Sequence, residues 1–245
     1  MKYVNKIVTW LKDYATKSNM KGFVVGVSGG IDSAVTSTLC AMTGFPVICV
    51  NMPLHQDEVL NSRSELQIRW LKDNYSNISE KVVDLSEVYD KLFEVVSSDE
   101  LGKANTQARL RMITLYAISS EYNHLVVGTG NKVEDFGVGF FTKYGDGGVD
   151  ISPIADLMKS EVYEIARILK IPTEIQEAAP TDGLWNDGRT DEIQLKAAYN
   201  ELEWAMNYDG SSDLSDREKE VLNIYNEHHQ KNLHKMLPIP VCEVK

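Results

Sequence analysis

The chain has 245 residues, 43% of them hydrophobic and 25% charged, with a formal net charge of −11. That composition supports a sizeable packed core and excludes wholesale disorder. It also argues against a general nucleic-acid binder, whose affinity rests on lysine and arginine neutralising phosphates. A small anionic ligand held by a local basic pocket stays open.

At the N-terminus, "MKYVNKIVTWLKDY" places Val4, Ile7, Val8 and Leu11 at helical spacing with lysines between them. This reads as an amphipathic helix and not as a signal peptide. No apolar run approaches the roughly 18 residues of a membrane span. Cys40, Cys49 and Cys242 form no CxxC pair and read as free thiols of a reducing compartment. The expectation is a soluble, cytoplasmic protein.

Four short apolar runs read as strands: 22–28, 46–52, 81–85 and 124–130. They lack strict alternation, which suits strands covered on both faces. Helical spacing fills 31–43, 57–75 and 105–122 between them. This order predicts an α/β fold, a doubly wound, mostly parallel sheet flanked by helices, with ligands beyond the carboxyl ends of its strands. Residues 137–154 are rich in glycine yet carry aromatic and charged side chains, and read as an ordered functional loop. A helix follows over 159–170, then an irregular stretch over 171–192. Two more helices are expected near 191–206 and 216–229, the second with a capping box of Ser215 and Glu218. The tail from His234 onward, with two prolines, reads as extended.

The stretch "VVGVSGGIDSAV" (24–35) sits at a strand-to-helix junction. Gly29 and Gly30 let backbone N–H groups approach a ligand, the helix start adds unpaired N–H groups, and Ser28 and Ser33 add hydroxyls. Together they make a cradle for phosphate. The spacing fits neither a Walker A loop nor a dinucleotide fingerprint. With no lysine in the loop, Asp32 would repel phosphate unless a cation intervened; Mg²⁺ bridging Asp32 and phosphate oxygens meets that conflict.

"SGGIDS" resembles the pyrophosphatase loop of the adenine nucleotide alpha hydrolase-like superfamily, which cleaves ATP between its α and β phosphates. "GFFTKYGDGGVD" (139–150), "NTQARLRM" (105–112) and "HK" (234–235) resemble elements of one branch, the NAD synthetases. The resemblance covers roughly residues 20 to 236. It implies a ligase that adenylates the nicotinate carboxylate of deamido-NAD with ATP and amidates it with ammonia. It implies ATP-phosphate contacts from Gly26, Val27, Ser28, Gly29, Gly30, Ile31, Asp32 and Ser33, with Thr129, Lys159 and Thr181. Asp32 and Glu134 would hold Mg²⁺, Asp135 being the alternative to Glu134. Arg109, Lys143, Asp150, His234 and Lys235 would bind deamido-NAD, with Asn105 and Tyr116 as further candidates. Separately from the resemblance, ammonia must be neutral to attack, and Asp146 is the candidate carboxylate to accept the proton of ammonium. The family is homodimeric, with this substrate at the interface.

The chain departs from the family pattern at Asn51, where an arginine is common, and at Leu101, where an aromatic residue is common. It also carries one extra residue between "GTG" and "GFF". One domain over 1–245 with no glutaminase domain points to free ammonia as the nitrogen donor. Read from residue types alone, Lys159 is equally an exposed first-turn lysine, Arg109 a surface ion pair and Thr181 a structural loop residue. Two other functions compete: another ATP-pyrophosphatase ligase that modifies tRNA, and a non-catalytic nucleotide-binding module.

Overall fold

The computed structural model describes residues 2–55, 58–185, 188–211 and 213–244. Four parallel strands form one sheet in the order β3-β2-β1-β4: β1 Gly22–Gly26, β2 Val47–Asn51, β3 Ile78–Val82 and β4 His124–Val127. On one face Phe23, Val25, Val47 and Cys49 pack with α1 (Lys2–Lys17), α2 (Ile31–Ala41), α3 (Glu58–Asn74) and α6 (Lys159–Leu169). On the other, Val24, Ile48 and Val50 pack with Leu85 and with Ile118 of α5 (Glu100–Tyr122). Alternate residues of β1 and β2 are thus buried on opposite faces, which is why these strands read as continuous apolar runs. The doubly wound parallel sheet is the architecture expected from the sequence.

The third strand lies three residues earlier than the apolar run at 81–85. It is the sheet edge, its Ser79 and Glu80 face water, and Leu85 instead enters the core below α4 (Ser86–Phe93). Helix α4 is only eight residues long and buries none of them fully, so its Val88, Tyr89, Leu92 and Phe93 make a pattern too short to stand out. Helix α5 starts five residues before the expected point, where the Asp99 carboxylate accepts the Gly102 N–H at 2.8 Å.

The expected helix over 191–206 is two, α8 (Asp191–Leu195) and α9 (Tyr199–Asn207), after the short α7 (Thr173–Gln176). Lys196, at φ +61, ends α8. Helix α10 (Asp216–Met236) outruns its expected end and places His234 and Lys235 in its last turn, not in an extended tail. Its Ser215–Glu218 capping box is present.

Candidate active site

Beta strands β1 and β4 are neighbours whose connections leave in opposite directions, so a crevice opens beyond their carboxyl ends. A cavity of about 650 Å³ lies there. Its wall includes Gly26, Val27, Ser28, Gly30, Ile31, Asp32 and Ser33, so nearly the whole glycine loop faces one space. Gly29 is the exception: it lies outside the wall and supplies the turn, at φ +82. The loop is cross-braced. Ser33 Oγ donates to Gly30 O at 2.9 Å and accepts from Ser28 N at 3.2 Å, and Gly30 N donates to Ser28 Oγ at 3.3 Å.

Lys159 is the centre of the site. It opens α6, is 2% exposed, and donates to Asp32 Oδ2 at 2.6 Å and to Glu134 Oε1 at 2.9 Å. The exposed first-turn reading of this residue is therefore wrong. The loop's missing lysine is supplied from 127 residues away, so a cation already stands beside Asp32. Burial opposes the charge on Lys159, but the two carboxylates outweigh it and hold the ammonium pKa well above the ordinary lysine value. Burial likewise works to raise Glu134, and Lys159 with the Tyr199 hydroxyl more than reverses it, so Glu134 sits below its usual value.

Asn131, fully buried, ties these parts together. Its Nδ2 donates to Asp32 Oδ1 at 3.0 Å, while its Oδ1 accepts the N–H groups of Val133 and Glu134 at 3.1 and 3.2 Å. These begin a π-helical turn, Val133–Val138. Such a wide turn absorbs one additional residue inside a helix, and it lies where the sequence carries its extra residue. Glu134 and Asp135 consequently both line the cavity. Glu134 meets Lys159, whereas Asp135 turns toward Gly130, where a Cβ would lie 2.2 Å from its carboxylate oxygens. Burial first, and then the charges of Glu134, Asp146 and Asp32, push Asp135 up to about 8.

Basic side chains also line the cavity: Arg109, Arg111, Arg63, Lys143, His234 and Lys235. Arg109 Nη2 donates to Lys143 O at 3.4 Å, and Lys143 Nζ donates to His234 O at 2.9 Å. Lys235 Nζ donates to the carbonyls of Gly139 and Phe141, the latter at 2.7 Å. Buried nitrogens of Arg63 (Nε) and Arg111 (Nη2) have no partner, which suits them to an anionic ligand. Asn51, where the family commonly has arginine, is 3% exposed and donates to Asn61 on α3 at 2.7 Å. Arg63, farther along that helix, enters the cavity instead.

Thr129, Thr181, Asn105 and Asp146 also reach the wall. Thr181 Oγ1 donates to Arg189 O at 3.2 Å, and Asn105 accepts from Thr142 Oγ1 at 2.6 Å. Asp146 accepts from Thr142 N at 2.9 Å, and burial followed by the nearby Glu134 charge pushes its carboxyl up to about 6. Asp150 and Tyr116 pair with each other beside this cavity. Both lie outside the cavity wall, paired at 3.0 Å, with the second Asp150 oxygen accepting Val126 N at 2.8 Å.

Two residues that sequence reasoning missed complete the acidic side. Tyr199, 6% exposed, donates from its hydroxyl to Glu134 Oε1 at 2.6 Å, and Asp191 Oδ2 lies 3.2 Å from the same hydroxyl. One phenolic proton cannot serve both carboxylates. Burial, then repulsion from Glu134, pushes Asp191 up to about 7. No signal in a single sequence marks Tyr199; it reads as one more apolar residue of α9.

The NAD synthase family model matches residues 3–238. The chain belongs to the NAD synthase family. The NH(3)-dependent NAD(+) synthetase of Carboxydothermus hydrogenoformans is 39% identical over 220 residues, covering 86% of this chain and 87% of that one. A structure of NMN synthetase from Francisella tularensis superposes with a TM-score of 0.89 at 33% identity, over 98% of this chain and 97% of that one. An NH3-dependent NAD synthetase from Campylobacter jejuni, solved with a nitrate ion, gives 0.76 at 25% identity over 99% and 98%. NAD synthases are carbon–nitrogen ligases, and the polarised cavity of this one fits that chemistry.

Proposed function

We propose that this NAD synthase uses ATP to adenylate the nicotinate carboxylate of deamido-NAD, releasing pyrophosphate, and then amidates the adenylate with ammonia to give NAD and AMP. The observation that carries the reading is the meeting of Lys159, Asp32 and Glu134 at 2.6 and 2.9 Å beside the glycine loop. A carboxylate is a poor electrophile, and both reactants are anions. The protein's task is therefore to bring them together and to neutralise charge as pyrophosphate departs. In this reading the loop amides and Lys159 receive the departing phosphates. Arg109, Lys143 and Lys235 orient the dinucleotide, and Arg63 and Arg111 offer further donors to its anionic groups. Asp146, ionised above about pH 6, takes the proton that ammonium must lose before it attacks.

Asp32 and Glu134 already direct oxygens at one cationic point, and hard oxygen donors suit Mg²⁺. Among the described residues no group of three or more acidic, histidine or cysteine side chains is arranged around a metal. A two-carboxylate site completed by phosphate oxygens fits that inventory. Bound there, Mg²⁺ would neutralise phosphate charge. A single catalytic domain, free ammonia as donor and a homodimer belong to the same proposal; α5 leaves Leu101 60% and Ile113 57% exposed for a partner.

The rival readings predict different products. Pyrophosphate released from ATP only when deamido-NAD is present, with NAD formed when ammonium is added, supports the proposal. Release that requires tRNA, or nucleotide binding with no release, sinks it. A second substrate assignment has its own support, since the Francisella tularensis structure that superposes at 0.89 is an NMN synthetase. Nicotinate mononucleotide carries the same carboxylate. Assaying both substrates side by side, with kcat/KM compared, decides between them. No helix among the described residues is long and apolar enough to cross a membrane, and the net charge of −11 disfavours a nucleic-acid substrate.

A further inference from the structure

Tyr199 touches both members of the central ion pair. Its hydroxyl donates to Glu134 Oε1 at 2.6 Å, the same oxygen that accepts from Lys159 at 2.9 Å. Its ring face lies 4.7 Å from the Lys159 ammonium. Asp191 stands behind it, 6% exposed, with Oδ2 3.2 Å from the hydroxyl and Oδ1 without a partner at the cavity wall. Neighbouring Glu192 accepts Tyr199 N at 3.0 Å, and Asp191 N donates to Pro180 O at 3.1 Å, so the ring is seated from α8 as well as from α9.

We propose that Tyr199, seated by Asp191, is the positioning residue that keeps Glu134 aimed at a bound cation while Lys159 turns to phosphate. The inference rests on the proposed function in taking Lys159 and Glu134 as the phosphate and cation groups. Glutamate has three rotatable side-chain bonds. Lys159 fixes the Glu134 carboxylate, and a phosphate that attracts the ammonium removes that restraint. Among the described residues the phenol is then the remaining side-chain donor to Oε1. A tyrosine hydroxyl, with an ordinary pKa of about 10, is a donor at neutral pH. The ring face offers the ammonium a second favourable contact during the exchange.

The test separates the hydroxyl from the ring. Tyr199→Phe keeps the apolar volume and the π face and removes only the donor. Mn²⁺ binding to the protein with α,β-methylene-ATP, read by electron paramagnetic resonance, reports cation affinity without turnover. The expected result is Mn²⁺ binding weakened tenfold or more and a matching rise in the Mg²⁺ concentration for half-maximal rate. KM for ammonium should stay within twofold. Asp191→Ala should shift Mn²⁺ binding in the same direction, and Asp191→Asn, whose amide can donate to the phenol oxygen, should restore it. Unchanged Mn²⁺ binding in Tyr199→Phe overturns the proposal. So does a loss shared equally by Mn²⁺, nucleotide and ammonium together with a lowered melting temperature, since that is the mark of a plain core tyrosine. If Tyr199→Phe does not fold, the contrast between Asp191→Ala and Asp191→Asn decides. A wild-type protein that binds Mn²⁺ yet makes no NAD refutes the proposed function and leaves the positioning role readable; one that binds no Mn²⁺ refutes the positioning role.

Discussion

Lys159 and Asp32 lie 127 residues apart in the chain and meet at 2.6 Å, closing the glycine loop with a cation that the loop lacks. Both are drawn out of water, with side-chain exposures of 3% and 17%, and Glu134 on the other side of the ammonium is 16% exposed. Removing one member of such a buried set strands the charge of the others.

Lys159→Met is therefore expected to destabilise the ligand-free protein by about 3 kcal/mol, since two carboxylates lose their common partner. Adding Asp32→Asn and Glu134→Gln to that variant should recover much of the loss, because the stranded charges go with it. Urea unfolding of the single and triple variants checks this. A triple variant no more stable than the single one contradicts the account.

Asp32→Ala is expected to cut pyrophosphate release at least a hundredfold and to weaken nucleotide binding. Full activity in this variant overturns the assignment of Mg²⁺ to Asp32. Steady-state rates across a Mg²⁺ series measure it directly.

Asp191 gives a pH prediction of definite sign. Its carboxyl is raised from 3.8 to about 7 in the folded chain. Between those values the folded state holds a proton that the unfolded state has lost. The group's contribution to stability is thus full below about pH 4 and is lost as pH rises through about 7. The slope is at most about 1.4 kcal/mol per pH unit. In Asp191→Asn this component is absent. Unfolding free energies at pH 5 and pH 7.5 should therefore fall more steeply with pH in the wild type than in the variant; parallel slopes refute it.

Gly139→Ala combines two penalties. The residue has φ +66, and a Cβ there would lie 2.4 Å from the Cβ of Asn232. The expected cost is about 1–3 kcal/mol, with KM raised for the nicotinate substrate more than for ATP. Thermal melts and a two-substrate kinetic matrix read both.

The parts of the fold and site that could be read from the chain are those set by neighbours in sequence. The glycine loop declares itself because strand, turn and helix start are contiguous, and β1, β2 and β4 because burial on both faces leaves continuous apolar runs. The edge strand β3 is half solvated and was displaced by three residues toward Leu85, whose apolarity belongs to a helix contact. Helix α4 spans only eight residues and buries none of them fully, so its brief apolar pattern offers little to read. Residue-type reasoning left Lys159 ambiguous because its burial comes from packing onto α2 and α9. Tyr199, Asn131 and Arg63 are set by tertiary contacts that no local pattern encodes. The bracing of Tyr116 and β4 by Asp150 is likewise a tertiary contact that its loop sequence does not announce.

Three side chains of α10 grip consecutive carbonyls at the end of the π-helical turn. His229 lies 2.7 Å from Gly137 O, Asn232 donates to Val138 O at 2.8 Å, and Lys235 donates to Gly139 O. Their spacing of three sets them along one helical edge. During synthesis, then, the π-helical turn and the cavity wall that follows it cannot settle when their own residues leave the ribosome. They wait some ninety residues, until the last turns of α10 have emerged, and a nascent chain halted before His229 has every strand of the sheet but an unfinished pocket.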